Sequence, residues 1–163
     1  MATNSAVERV FNFSPGPATL PLPVLEQAQR ELLALPGCGA SILEISHRGK
    51  PFGEIMQRAD QRLRSLLALT DNYKILFLQG GARLQFSMVP MNLLRGTGKS
   101  ADYVLTGSWG KKAREEAVKE GTVNVVWDGK STHYDRLPDN SELQLSPQAA
   151  YVHFTSNETI EGV

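Results

Sequence analysis

The sequence predicts an α/β layered domain, a mostly parallel sheet flanked by helices and entered through an extended proline-rich arm. Short apolar runs of strand length alternate with amphipathic segments, and that alternation is the signature of strand–helix–strand units. Two of the runs end in glycine-containing turns that open directly into helical spacing. No period of roughly 20–50 residues recurs and no stretch is of low complexity, so repeat architectures are excluded.

The arm, FNFSPGPATLPLP from Phe11 to Pro23, sets four prolines among Ser, Gly and Thr; fixed φ and missing N–H groups predict an extended, rigid segment. The stripe Val24, Leu25, Ala28, Leu32 and Leu35 predicts a first helix that ends at Pro36 and Gly37. Residues 37–53 read as a structured but irregular loop around Ile42, Leu43 and Ile45, exposing His47, Arg48 and Lys50. A second helix follows from Phe52, Ile55, Met56, Ala59, Leu63, Leu66 and Leu67, with charged residues on its other face and an end near Thr70.

KILFLQGG, from Lys74 to Gly81, is an apolar run of strand length that stops at a glycine pair, and ARLQFSMVPMNLLR returns to helical spacing. A second unit runs from the strand Tyr103–Leu105 through Thr106, Gly107 and Ser108 into WGKKAREEAVKEG, which Gly121 closes. Thr122–Trp127 predicts another strand, residues 128–146 are polar and turn-rich, and Ala149–Phe154 is a last apolar run before TSNETIEGV. Three or four strands with these helices make only part of a doubly covered parallel sheet, so a truncated or split chain is expected.

Seventeen Lys plus Arg against seventeen Asp plus Glu remove the field that would draw nucleic acid or an anionic membrane to the whole surface. The single cysteine, Cys38, excludes a disulfide scaffold. No signal-like run occurs in the first twelve residues and no apolar stretch of about 18 residues lies downstream. A cytoplasmic protein binding neither nucleic acid nor membrane is expected. His47, His133 and His153 share no metal-ligand spacing, and no metal site is predicted.

The turn Gly80-Gly81-Ala82-Arg83 admits two readings. The glycines tighten the chain, or they bring the backbone close to a phosphate that the N–H groups of Ala82 and Arg83 would hold at a helix start. Trp109, directly after a strand and a Gly-Ser turn, is either a core residue or a plane on which a flat heteroaromatic ligand stacks. In SHRGK, Ser46 to Lys50, Arg48 has the fork that binds a carboxylate or phosphate with two parallel hydrogen bonds, and His47 adds a donor when protonated. By itself the pair is more often a solvated loop than a site. SNETIEG, Ser156 to Gly162, gathers hydroxyl, amide and carboxylate groups whose plain role is to cap the element that follows. GTGKS at 96–100 lacks the first glycine of a phosphate-binding Walker loop, Leu93 standing in its place, and is read as a turn.

FNFSPGPATLP at Phe11, EISHRGK at Glu44, NYKILFLQGGARLQF at Asn72, ADYVLTGSWGKKAREEA at Ala101 and NETIEG at Asn157 together resemble the phosphoserine aminotransferase family, class V enzymes of the fold-type I pyridoxal-phosphate group. The resemblance implies part of that family's large domain, with residues 1–23 as the arm and 24–163 as an incomplete cofactor-binding domain. It implies pyridoxal 5'-phosphate as cofactor, with Gly81, Ala82 and Arg83 at its phosphate, Trp109 stacked on its ring and Thr159 near its phenolic oxygen. Arg48 and His47 would take the substrate carboxylate, in a neighbouring subunit's site of a homodimer. The implied substrates are L-glutamate and 3-phosphohydroxypyruvate, giving O-phospho-L-serine and 2-oxoglutarate. No catalytic residue is assigned, because none of Lys50, Lys74, Lys99, Lys111, Lys112, Lys119 and Lys130 stands where the family has its Schiff-base lysine. The chain alone is therefore expected to be inactive. The alternatives are a piece of another class V enzyme and a non-catalytic cofactor-binding or dimerisation module.

Overall fold

The computed structural model describes residues 9–163, so the first eight residues of the expected arm lie outside the described residues. Two compact units form, Met1–Leu76 and Phe77–Val163. No described helix is long and apolar enough to cross a membrane.

In the first unit the arm departs from the extended rod its prolines suggest. Asn12 binds the chain back on itself: its amide nitrogen donates to Thr19 Oγ1 at 3.0 Å and its Nδ2 to the Pro17 carbonyl at 2.6 Å. Gly16, at φ +93°, supplies the left-handed turn between them. Helix α1 spans Leu22–Glu31 and takes Pro23 into its first turn. A proline is tolerated there because that N–H has no partner within a helix anyway. The helix stops short of the expected Leu35, which instead closes a separate turn by accepting the Cys38 N–H at 3.0 Å.

Helix α2, Lys50–Leu66, begins after Gly49 with Pro51 again in the first turn, and Asp60 and Arg64 pair across one turn at 2.8 Å. It ends before the expected Thr70, with Ala68 at φ +49°.

One expected strand does not form. The run KILFLQ joins no sheet among the described residues: the three described strands all lie within residues 100–153, and Leu76, Phe77 and Leu78 are exposed. Apolar composition makes a segment suited to a sheet, but a strand exists only where a neighbour takes up its N–H and C=O groups. After Gly81 the chain enters a short 3-10 turn, Ala82–Leu84, that leads into helix α3, Gln85–Leu93.

Strand β1, Ser100–Leu105, is the centre of the sheet. It pairs in parallel with β2, Thr122–Asp128, from Ser100↔Thr122 to Leu105↔Asp128 with an irregularity after Tyr103. On its other side it pairs in parallel with β3 at Asp102↔Val152 and Tyr103↔His153. The expected last strand is thus cut to Val152–His153. Helix α4, Ser108–Ala117, makes the crossover between β1 and β2. The core lies where these elements meet: Leu94, Ala101, Tyr103, Leu105, Ala113 and Ala117 are buried, with Phe86, Val123, Ala150 and Tyr151 packed on them. The fully buried Asp102 ties the sheet to the following loop by accepting from Asn124 Nδ2 at 3.0 Å, Ser146 N at 2.5 Å and Ser146 Oγ at 2.9 Å.

Candidate active site

The carboxyl end of β1 and the loop after β3 converge on the start of α4. Beyond Leu105 the chain passes Thr106, whose buried hydroxyl has no partner among the described residues, and Gly107, and then turns into the helix. No side chain of the N-cap residue itself caps α4. Its N–H donors are met instead by the 156–162 loop. Glu158, fully buried, accepts from Trp109 N at 2.9 Å and Gly110 N at 2.8 Å. Glu161 accepts from Ser108 N at 2.9 Å and Ser108 Oγ at 2.5 Å. These bonds to the Ser108 hydroxyl and N–H, with Lys111 nearby, hold the Glu161 carboxyl below its ordinary range against the opposing effect of burial. The acidic loop therefore caps a helix that begins about 50 residues earlier, where a cap on the following element had been expected.

Trp109 and Thr159 are brought together. The indole Nε1 donates to Thr159 Oγ1 at 2.9 Å, and the Lys112 ammonium covers one face of the ring at 4.1 Å from its centroid. Behind them His153 stacks on Tyr103 at 4.7 Å between ring centres, and burial lowers its proton affinity while the charge of Glu158 raises it.

The glycine turn sits in the same unit, ahead of α3. Gly80 is at φ +85°, and Gly81 offers no side-chain cap to the 3-10 turn it precedes, so the N–H groups of Ala82 and Arg83 open the segment that leads into α3. The Arg83 side chain shares a surface hollow with Ser87 and Glu116, and Glu116 lies seven residues along α4 from Trp109, about 10 Å along the helix axis. In the first unit His47 and Arg48 are both exposed, in a turn where Gly49 N donates to the Ser46 carbonyl at 2.9 Å and Arg48 N to Ser46 Oγ at 3.2 Å.

Glu158, Glu161 and Gly107 are the site residues that sequence reading did not single out. The signal was present as two acidic residues three apart directly after a strand, but nothing local says which helix start they reach.

These residues suit a flat anionic cofactor with a phosphate. The turn at 81–83 supplies backbone donors without a side-chain cap, while the comparable donors of α4 are already taken by two carboxylates. The indole supplies a plane, and the hydroxyl of Thr159 stands beside it.

The aminotransferase class-V family model matches residues 10–163. A phosphoserine aminotransferase of Rhodopirellula baltica is 56% identical over 156 residues, which is 96% of this chain and 42% of that protein. Phosphoserine aminotransferase 1, chloroplastic, of Arabidopsis thaliana is 51% identical over 96% of this chain and 36% of its own length. Among solved structures, the phosphoserine aminotransferase from Bacillus circulans subsp. alkalophilus superposes with a TM-score of 0.81 at 48% identity, over 93% of this chain and 42% of that one. The pyridoxal-phosphate-bound phosphoserine aminotransferase from Trichomonas vaginalis gives 0.84 at 42% identity, over 95% and 46%. The chain thus spans less than half the length of each of these relatives.

Proposed function

The chain belongs to the class-V aminotransferase family, and from that premise we propose that the protein carrying it is a phosphoserine aminotransferase. It would move the amino group between L-glutamate and 3-phosphohydroxypyruvate, giving O-phospho-L-serine and 2-oxoglutarate. The observation that carries this reading is the Trp109–Thr159 contact at the carboxyl end of β1, within a chain 56% identical to one enzyme of that name.

Pyridoxal 5'-phosphate, when bound, supplies the electron sink that this amino transfer requires. Ala82 and Arg83 would hold its phosphate through their backbone N–H groups, Gly81 allowing the approach. Trp109 would stack on the ring with the face opposite Lys112. Thr159 Oγ1 accepts from the indole, so its own proton is left to donate to the ring's phenolic oxygen. Arg48 would receive a substrate carboxylate, with His47 as a further donor; the guanidinium fork fits that group and is exposed. The covalent role of the family's lysine is assigned to none of the seven lysines here. A homodimer and a cytoplasmic location follow from the family likeness and belong to the same proposal.

The test is a coupled assay on the full protein with 3-phosphohydroxypyruvate and glutamate against other amino-acid and oxo-acid pairs. Preference for this pair is expected. Equal or better turnover of pairs without a phosphate would overturn the reading in favour of another class V enzyme.

A further inference from the structure

We propose that Glu158 is a positioning residue for the ring-stacking site, its carboxylate holding the first turn of α4 so that the Trp109 indole stands in one place. The inference rests on the function proposed above. Trp109 is gripped at two points by consecutive residues of one loop: its backbone N–H donates to Glu158 Oε2 at 2.9 Å and its ring N–H to Thr159 Oγ1 at 2.9 Å. The second oxygen of Glu158 takes the next N–H of the helix, from Gly110, at 2.8 Å. The loop that carries both residues is itself closed by Glu158 N to Val163 O at 2.8 Å and Gly162 N to Glu158 O at 2.7 Å.

Two glycines make room for this arrangement, since a Cβ on Gly107 would stand 2.8 Å from Glu158 Oε2 and one on Gly110 3.2 Å from Oε1. A helix start needs no buried carboxylate, because water or an exposed serine satisfies the same donors at no cost in desolvation. What the buried anion adds is geometry. It binds two successive N–H groups at once, and with Lys112 on one face of the indole it leaves the other face at a set height and tilt for a planar ring.

The test uses the full protein and the variant Glu158→Gln, whose amide keeps the shape but turns an NH2 toward one of the two N–H donors. Three readouts are taken well below the unfolding temperature: the Kd for pyridoxal phosphate, the visible circular dichroism of the bound cofactor, and acrylamide quenching of Trp109 without cofactor, taken as the difference from Trp109→Phe. Glu158→Gln is expected to raise Kd about tenfold, the lower end of what one charge-assisted bond is worth, to weaken the visible band and to make Trp109 more accessible to quencher. In a Trp109→Ala background, which leaves no ring to position, the same substitution should change Kd no further, since Glu158 acts through that ring. An unchanged Kd and band, or an equal loss of affinity without Trp109, would overturn the proposal.

If Glu158→Gln does not fold, Glu158→Asp keeps the charge and draws the carboxylate back by one methylene; failure of both to fold marks a purely structural cap and also overturns it. Should the unsubstituted protein bind no pyridoxal phosphate, the function proposed above fails, and the quenching measurement still decides whether Glu158 positions Trp109.

Discussion

Gly107 separates steric cost from backbone cost at the site, because its φ of 170° is extended backbone that any residue adopts. In Gly107→Ala the new methyl would lie 2.6 Å from Glu161 Oε2, 2.7 Å from Glu158 Cδ and 2.8 Å from Glu158 Oε2, where ordinary contact starts at 3.4 Å. The two carboxylates must therefore retreat by about 0.6–0.8 Å. Free surface glutamates would swing away at little cost. These are held by Ser108 N, Ser108 Oγ, Trp109 N and Gly110 N, and a bond of 2.9 Å stretched by that amount leaves hydrogen-bonding range. Overpacking of this kind costs roughly 1–3 kcal/mol, and at about 2–4 °C per kcal/mol for a domain of this size the melting temperature should fall by roughly 2–12 °C. Calorimetry of Gly107→Ala beside Gly53→Ala checks the cause: Gly53 lies inside α2 with nothing within 4 Å of its would-be Cβ, so the same substitution there should raise stability by roughly 0.5–1 kcal/mol. A Gly107→Ala protein that melts with or above the unsubstituted protein would refute the pinned-carboxylate argument.

Asp102→Asn should destabilise the protein by about 2–4 kcal/mol at neutral pH, since an amide turns a donor toward Asn124 Nδ2 or Ser146 N. Burial raises the Asp102 pKa, but the bonds from Ser146 and Asn124 outweigh it and leave it below the ordinary 3.8. The stability it contributes is thus present above the unfolded-state value and is lost as pH falls through the lower folded value, so melting temperatures of the two proteins should converge below about pH 4; parallel curves would refute this. Arg48→Lys in the full protein keeps charge but loses the bidentate fork, so kcat/KM for both substrates should fall about ten- to a hundredfold with an unchanged melting temperature. Unchanged kinetics would return SHRGK to the status of a solvated loop.

The α/β alternation, helices α2 and α4, strands β1 and β2 and the glycine-marked turns were legible from local pattern, because periodicity and turn chemistry act within one segment. KILFLQ shows the limit of that information. Its composition states a preference for a sheet, while pairing depends on a neighbour that nothing in those six residues specifies, and the three described strands pair with one another without it. The arm fails for a related reason: the prolines restrict φ locally, but the bonds from Asn12 to Pro17 and Thr19 bend it back.

At the site, the residue types were visible in SWG and NETIEG, and their chemistry of ring, hydroxyl and carboxylate was determined by the sequence alone. That Glu158 and Glu161 cap a helix about 50 residues upstream, and that Thr159 meets the Trp109 ring, emerges only when the chain is folded. The physical reason is that a parallel sheet delivers the ends of β1 and β3 to the same edge, so groups remote in the chain share one set of hydrogen-bond donors that no short-range pattern encodes.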